Sequence, residues 1–275
     1  MAGWELRREW AARDGVVRYE VFGDGPPLVV VHGTPSSSYE WRHVIARLAG
    51  EWTVYAYDLL GYGSSEKRAG GDVSLGAQTR LLAELLDHWE LDRPAIAGHD
   101  FGGAITLRTH LLERRDFSAI ALLDPVAVAP WGSPFFRLVR DNIAVFEQLP
   151  AAIHEAVVAA YLRGAFHRPL VDEDLAAYVL PWLGAEGQDA FYRQIAQADQ
   201  RYTDEVEPLY GSISAPVLIL WGEEDEWIPV ERGRRLHAMI AGSELEVVPG
   251  AGHFLQDDAA GAVADHLARF FRRVS

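Results

Sequence analysis

Ala95-Ile96-Ala97-Gly98-His99-Asp100-Phe101-Gly102-Gly103 decides how the chain is read. With Pro94, its first residues form a short apolar run of strand type. The glycines that follow open a helical pattern in which Ile105, Leu107, Leu111 and Leu112 recur. The spacing Gly-x-Asp-x-Gly between them describes a tight, strained turn. Its small flanking residues leave room for one side chain thrust up from the sheet. That side chain is Asp100. Alone, the hexapeptide has a second reading, in which the aspartate caps the helix, so the rest of the chain must choose.

Toward the N-terminus, residues 16–22 alternate as a strand and stop at Gly23-Asp24-Gly25-Pro26-Pro27. Residues 28–31 are a continuous Leu-Val-Val-Val run, as in a strand buried on both faces. Residues 53–57, 118–123, 216–220 and 245–248 continue the series, and Leu75, Leu82, Leu85, Leu86 and Trp89 recur near helical spacing. Strands alternating with helices predict an α/β fold: a mostly parallel central sheet flanked by helices on both faces. Residues 127–210 break the alternation, being helical in pattern and rich in aromatics. The expectation is a core made of residues 1–126 and 211–275 with a helical lid inserted at 127–210; the alternative is extra core helices.

Composition narrows the class. At 275 residues, with 49% hydrophobic and 24% charged, the chain can bury one large core and is no disordered polymer. Forty acidic against 25 basic residues give a net charge of −15, a poor match to nucleic acid or an anionic membrane surface. The densest basic group, Glu231-Arg232-Gly233-Arg234-Arg235, reads as a solvated helix face. The absence of cysteine excludes disulfides, thiolate metal sites and a cysteine nucleophile. The charged N-terminal residues do not resemble a signal peptide, and no apolar run reaches the roughly 20 residues of a membrane span. A cytoplasmic location is expected, as monomer or homodimer.

Three segments give Asp100 its context. Val31-His32-Gly33-Thr34-Pro35 closes a buried strand, so the backbone N–H of Thr34 can join that of Phe101 in an oxyanion hole. Trp221-Gly222-Glu223-Glu224-Asp225 places an acid after a late strand, and Gly250-Ala251-Gly252-His253 places a histidine after the last. Nucleophile, acid, histidine is the chain order of one known hydrolase architecture.

With these motifs the sequence resembles the α/β-hydrolase superfamily over nearly its whole length. It looks most like the aspartate-nucleophile branch of haloalkane dehalogenases and epoxide hydrolases. His32-Gly33-Thr34-Pro35-Ser36-Ser37-Ser38-Tyr39-Glu40-Trp41-Arg42 is similar to the dehalogenase run HGNPTSSYLWR. Tyr57-Asp58-Leu59-Leu60-Gly61-Tyr62-Gly63-Ser64-Ser65 resembles the D-x-x-G-x-G-x-S loop, and His253-Phe254-Leu255-Gln256-Asp257-Asp258 the H-[FY]-L-Q-E-D run. The resemblance implies hydrolysis of a small, mainly apolar substrate through an alkyl ester on Asp100. His253, oriented by Asp225, would activate the water that cleaves it, with no metal or organic cofactor. Carbon–halogen hydrolysis is the expected reaction. Epoxide hydrolysis and a non-hydrolytic, ligand-binding scaffold are the alternatives.

Departures from the pattern concern the substrate. Dehalogenases hold the leaving halide with a tryptophan directly after the nucleophile and often an asparagine after His-Gly; here these positions are Phe101 and Thr34. Trp41, Trp131 and Trp182 are candidate contacts to substrate or leaving group. Epoxide hydrolases use two lid tyrosines: Tyr192, 33 residues before Asp225, is near the expected place of one, and Tyr161 would stand in for the other, where Phe146 lies. Asp124, 24 residues after Asp100, is an alternative acid, at the position one dehalogenase subfamily uses.

Overall fold

The computed structural model describes residues 4–274. Its strands are β1 (Arg8–Ala12), β2 (Gly15–Phe22), β3 (Pro27–Val31), β4 (Thr53–Tyr57), β5 (Ala95–His99), β6 (Ala119–Leu123), β7 (Val217–Gly222) and β8 (Glu244–Val248). They form one eight-stranded sheet in the order β1-β2-β4-β3-β5-β6-β7-β8. Pairing is parallel from β4 through β3, β5, β6 and β7 to β8, and antiparallel only where β2 meets β1 and β4. β1 has no counterpart in the sequence reading. It is a half-exposed edge strand without apolar periodicity, reached through the turn before Gly15.

The period of two along each strand divides its side chains between two cores. Val29 and Val31 of β3, Ile96 of β5, Ile120 and Leu122 of β6 and Ile219 of β7 face one cluster. Leu28 and Val30, Ala95 and Ala97, Ala119 and Ala121, and Leu218 and Leu220 face the other. Strands buried on both faces have no polar side to show, hence their continuous apolar runs.

Helices cover both faces: α1 (Arg42–Leu48), α2 (Leu75–His88) and α3 (Phe101–Leu111) in the first half of the chain. Ser74 caps α2 by accepting from Ala77 N–H, whereas α3 is buried from Phe101 to Thr109 and has no polar face. Between β6 and β7 lie α4 (Pro134–Asp141), α5 (Ile143–Phe146), α6 (Ala151–Arg163), α7 (Asp172–Val179), α8 (Gly184–Ala196) and α9 (Arg201–Asp204), with no strand among them. Ser133 caps α4 by accepting from Phe136 N–H, with Pro134 at its first turn. After β7 come α10 (Glu231–Met239), α11 (Leu255–Asp258) and α12 (Ala260–Val274). α12 packs Val263, Leu267, Phe270 and Phe271 into the second core, one stripe at helical spacing.

Candidate active site

β5 delivers His99, and the chain turns at Asp100 before α3 begins. Asp100 holds φ +49 and ψ −115, a backbone strain worth about 1–3 kcal/mol that the surroundings must sustain. They do so by close packing. A Cβ on Gly98 would sit 2.4 Å from the Gly102 carbonyl oxygen, and one on Gly102 2.2 Å from that of Val31. Asp100 N–H donates to Leu123 O at 3.1 Å, and Asp100 O accepts from Val126 N–H at 3.1 Å, pinning the turn to the end of β6.

The two carboxylate oxygens of Asp100 have different surroundings. Oδ2 accepts from Thr34 N–H at 2.7 Å, while Oδ1 lies 3.6 Å from His253 Nε2. That approach needs Gly33, whose Cβ would lie 2.5 Å from the Asp100 Cβ. Phe101, whose N–H was the second oxyanion donor expected, is the first residue of α3. On the other side, His253 Nδ1 donates to Asp225 Oδ2 at 2.8 Å, and Asp225 Oδ1 accepts from the Trp227 and Ile228 N–H groups at 2.8 and 2.9 Å. His253 Nε2 is buried without a hydrogen-bond partner. Burial alone would depress this imidazole, but the charge of Asp225 and its hydrogen bond, with the nearby carboxylate of Asp100, outweigh it and hold it well above its ordinary value.

Asp124 stands near this group in another state. Its Oδ1 accepts from Gly222 N–H at 2.9 Å, and its Oδ2 is buried and unpartnered. Burial first, and then the charge of Asp225, push its carboxyl well above the usual range. The direct bond to His253 Nδ1 is made by Asp225. Asp258 serves the histidine loop: it accepts from Gly252 N–H at 2.8 Å and from the N–H groups of His167 and Arg168 in the insertion, at 2.9 and 3.0 Å. The ligand atoms of His99, Asp124 and His253 lie within 4.8 Å of one another. With both His99 nitrogens and His253 Nδ1 engaged, Asp124 Oδ2 and His253 Nε2 are the two of these atoms left without a hydrogen-bond partner, too few to hold a metal ion.

Asp100, Thr34 and His253 open on a small cavity of about 40 Å³. Its walls are mostly aromatic: Phe101, Trp131, Phe136, Tyr161 and Trp227, with Ser133 and Ile228. Of the five residues expected to contact substrate, Trp131 and Tyr161 line it. Trp131 Nε1 is already committed to Thr203 Oγ1 at 2.8 Å, and its ring meets the edge of Phe101. The Tyr161 ring stacks on Trp227 at 4.4 Å, and its hydroxyl meets the Ser133 side chain; burial pushes the phenol well above its usual range, so it remains an O–H donor.

The other three lie elsewhere. Trp41 is corrected outright: it packs in the core on the opposite face of the sheet, with α1 and α12. Trp182 donates its Nε1–H to Pro35 O at 3.1 Å, and Tyr192 pairs its hydroxyl with His154 Nδ1 at 2.9 Å, its phenol pushed up to about 12 by burial. Both are buried away from the cavity wall. The Thr34 hydroxyl does not face the cavity freely either, since it donates to Gln194 Oε1 at 2.7 Å, which Tyr62 also donates to at 3.1 Å. Trp227, Ser133, Phe136 and Ile228 had no role in the sequence reading. Trp227 was discoverable, because it follows Asp225 by two positions and so must lie beside the histidine that Asp225 holds. A larger open cleft, lined by Trp4, Phe22, Tyr39, Arg42, His43 and Glu173 among others, contains none of these groups.

A doubly covered, mostly parallel sheet with an acidic side chain on a strained strand–helix turn, a histidine after the last strand and an acid after the one before defines the hydrolase architecture of that name. The profile of the alpha/beta hydrolase fold matches residues 26–260, and the chain belongs to that family. A solved alpha/beta hydrolase fold protein from Burkholderia ambifaria superposes with a TM-score of 0.94 at 46% identity, over 96% of this chain and 97% of that one. Haloalkane dehalogenase 2 of Mycobacterium tuberculosis is 28% identical, over 94% of this chain and 92% of its own. A 2-hydroxy-6-oxo-2,4-heptadienoate hydrolase of Pseudomonas putida is 30% identical, over 85% and 84%. Among the described residues no helix is long and apolar enough to cross a membrane.

Proposed function

We propose that the protein hydrolyses a small apolar molecule with an electrophilic sp³ carbon, through an ester on Asp100, with a carbon–halogen bond as the one broken. One observation carries this: the nucleophile turn bears a carboxylate, with one oxygen held by an oxyanion-type N–H and the other turned toward the histidine. An ionised carboxylate needs no base to attack. Oδ1 bonds to carbon while the leaving group departs with its electron pair, and Oδ2 keeps its bond to Thr34 N–H.

Esterification removes the Asp100 charge, one of the two that hold the His253 proton. His253 then releases that proton to solvent and can accept one from water, whose oxygen attacks the Asp100 carbonyl carbon. The tetrahedral oxyanion forms where Thr34 N–H already points. Collapse frees the alcohol and restores the carboxylate, so water and the halide give alcohol, halide ion and a proton. The helices at 127–210 act as a lid, contributing Trp131, Ser133, Phe136 and Tyr161 to a wall that excludes bulk water. The similarity to a haloalkane dehalogenase supports the same reading.

A second reading is ring-opening of an epoxide, favoured by the Tyr161 hydroxyl on the cavity wall and by the replacement of both usual halide donors. Mass spectrometry of His253→Ala incubated with 1-bromoalkanes tests the first: an alkyl adduct on the peptide bearing Asp100 is expected. No adduct from a substrate that the unaltered protein converts would overturn the ester. Tyr161→Phe separates the two, because it should abolish conversion of styrene oxide while leaving bromide release unchanged.

A further inference from the structure

Glu40 lies in the turn Ser38–Trp41 and is fully buried, yet among the described residues no arginine or lysine pairs with it. Three donors converge on its Oε1: Gly33 N–H at 3.3 Å, His99 Nδ1 at 3.0 Å and Gln256 Nε2 at 3.3 Å. His99, the residue before Asp100, is also fully buried, and its Nε2 lies 2.9 Å from the carbonyl oxygen of His253. A carboxylate and a carbonyl can only accept. For both contacts to be hydrogen bonds, both His99 nitrogens must carry protons. A buried carboxylate without a counter-charge is costly, and an imidazolium at this distance supplies one.

We propose that Glu40 and His99 form a buried ion pair that positions the catalytic loops. Each loop ends on it. Gly33 precedes the residue whose N–H holds Asp100 Oδ2, His99 precedes Asp100 itself, and His253 O and Gln256 belong to the segment that presents the imidazole. Neither member touches the reacting atoms or lines the cavity, so both are positioning residues. The His99 ring lies 4.9 Å from that of His253, close enough that a shift in one moves the other. In the dehalogenase run similar to residues 32–42, leucine stands at the position of Glu40, so this device distinguishes the present chain from that pattern.

Nitrogen-edited NMR of histidine-labelled protein tests the pair without any substrate. The expected His99 signature is an imidazolium with both nitrogens protonated. In Glu40→Gln, whose carboxamide can still donate to Nδ1, His99 should become neutral with its proton on Nε2. The His253 Nδ1 proton, bonded to Asp225, should shift as the loop loosens. A neutral His99 in the unaltered protein, or an imidazolium that survives Glu40→Gln, would overturn the ion pair, and the unaltered spectrum decides even if the variant does not fold. The positioning role also rests on the ester mechanism proposed above. Hydrolysis of the ester should slow about tenfold to a hundredfold in Glu40→Gln, and its formation, which needs the Asp100 and Thr34 loops but not the histidine, should slow less. Unchanged rates together with an unmoved His253 signal would refute positioning and leave that mechanism standing.

Discussion

Under the proposed ester mechanism, Asp225→Asn should separate the two chemical steps. The substitution replaces Oδ2, which accepts from His253 Nδ1 at 2.8 Å, with an NH₂ group. Oδ1 remains to receive the Trp227 and Ile228 N–H groups, so the loop keeps its shape. Two donors cannot face each other, so the imidazole surrenders its Nδ1 proton and carries one on Nε2, the nitrogen 3.6 Å from Asp100 Oδ1. A protonated Nε2 cannot take a proton from water. In another hydrolase, the wrong tautomer at such a site costs about 10⁴ in rate, and a loss of about 10³–10⁴ is expected here, or about 4–5.5 kcal/mol in the second barrier. Attack by Asp100 needs no base, so the first step should survive. In rapid-quench measurements with a 1-bromoalkane, a stoichiometric burst of bromide should precede a slow phase, with ester accumulating on Asp100. Burst and slow phase lost together, or a steady state left intact, would refute the assignment of Asp225 to the second step alone. Asp124 adds a refinement. Burial is the main cause of its raised carboxyl and the Asp225 charge the next, and Asp124 Oδ2 is unpartnered, so removing that charge makes Asp124 easier to ionise and lets it partly stand in. The double variant Asp124→Asn, Asp225→Asn should therefore fall below the single one.

Other consequences are open to measurement. Asp124→Asn alone should raise Tm at neutral pH, because a carboxyl held above its usual range favours the protonated form, which asparagine imitates; a lower Tm would contradict the burial argument. His253 is held above its ordinary value of about 6.5, so its stabilisation is complete below that pH and lost as pH rises through the folded-state value. Thermal scans should show Tm falling on the alkaline side, with a shallower slope in Asp100→Asn. Gly33→Ala places a Cβ 2.5 Å from the Asp100 Cβ. Overpacking of about 1–3 kcal/mol in chemical denaturation, and activity lost by about a hundredfold or more as Thr34 N–H is displaced, are expected. Trp131→Phe removes the bond to Thr203 and keeps an aromatic, though smaller, ring on the cavity wall. Turnover should hold, with stability down by about 0.5–1.5 kcal/mol, and a large fall in turnover would make that indole a leaving-group donor after all.

What could be read from the sequence was what local backbone rules dictate. The glycines around Asp100 announce a turn that only small residues permit, and the continuous apolar runs announce strands covered on both faces. The order of Asp100, Asp225 and His253 brought together three groups that the fold does join. The side chains around the substrate cavity were less legible, because a tryptophan in a sequence does not say where its N–H points. Trp182 spends its donor on Pro35 and Trp131 on Thr203, while Trp41 packs beyond the sheet among α1 and α12. Glu40 was hidden inside a run read only for likeness, since its meaning depends on His99 and Gln256, 59 and 216 residues away. β1 escaped for another reason: its pairing needs only the backbone, and its side chains show no pattern, although Asp14-Gly15 is a hairpin signal.

The bond from Thr34 Oγ1 to Gln194 on α8, with that from Trp182 to Pro35, fastens the insertion to the very loop that steadies Asp100. A hinge-like swing of these helices to admit a molecule would tug on Thr34, whose N–H holds Asp100 Oδ2 and would receive the oxyanion in the proposed mechanism, and would spoil that geometry at each passage. Rotation of single side chains such as Phe136 or Ile228 breaks neither tether. Under the proposed mechanism, entry past such side chains would leave the chemistry undisturbed and would favour slender molecules over bulky ones before any bond is made.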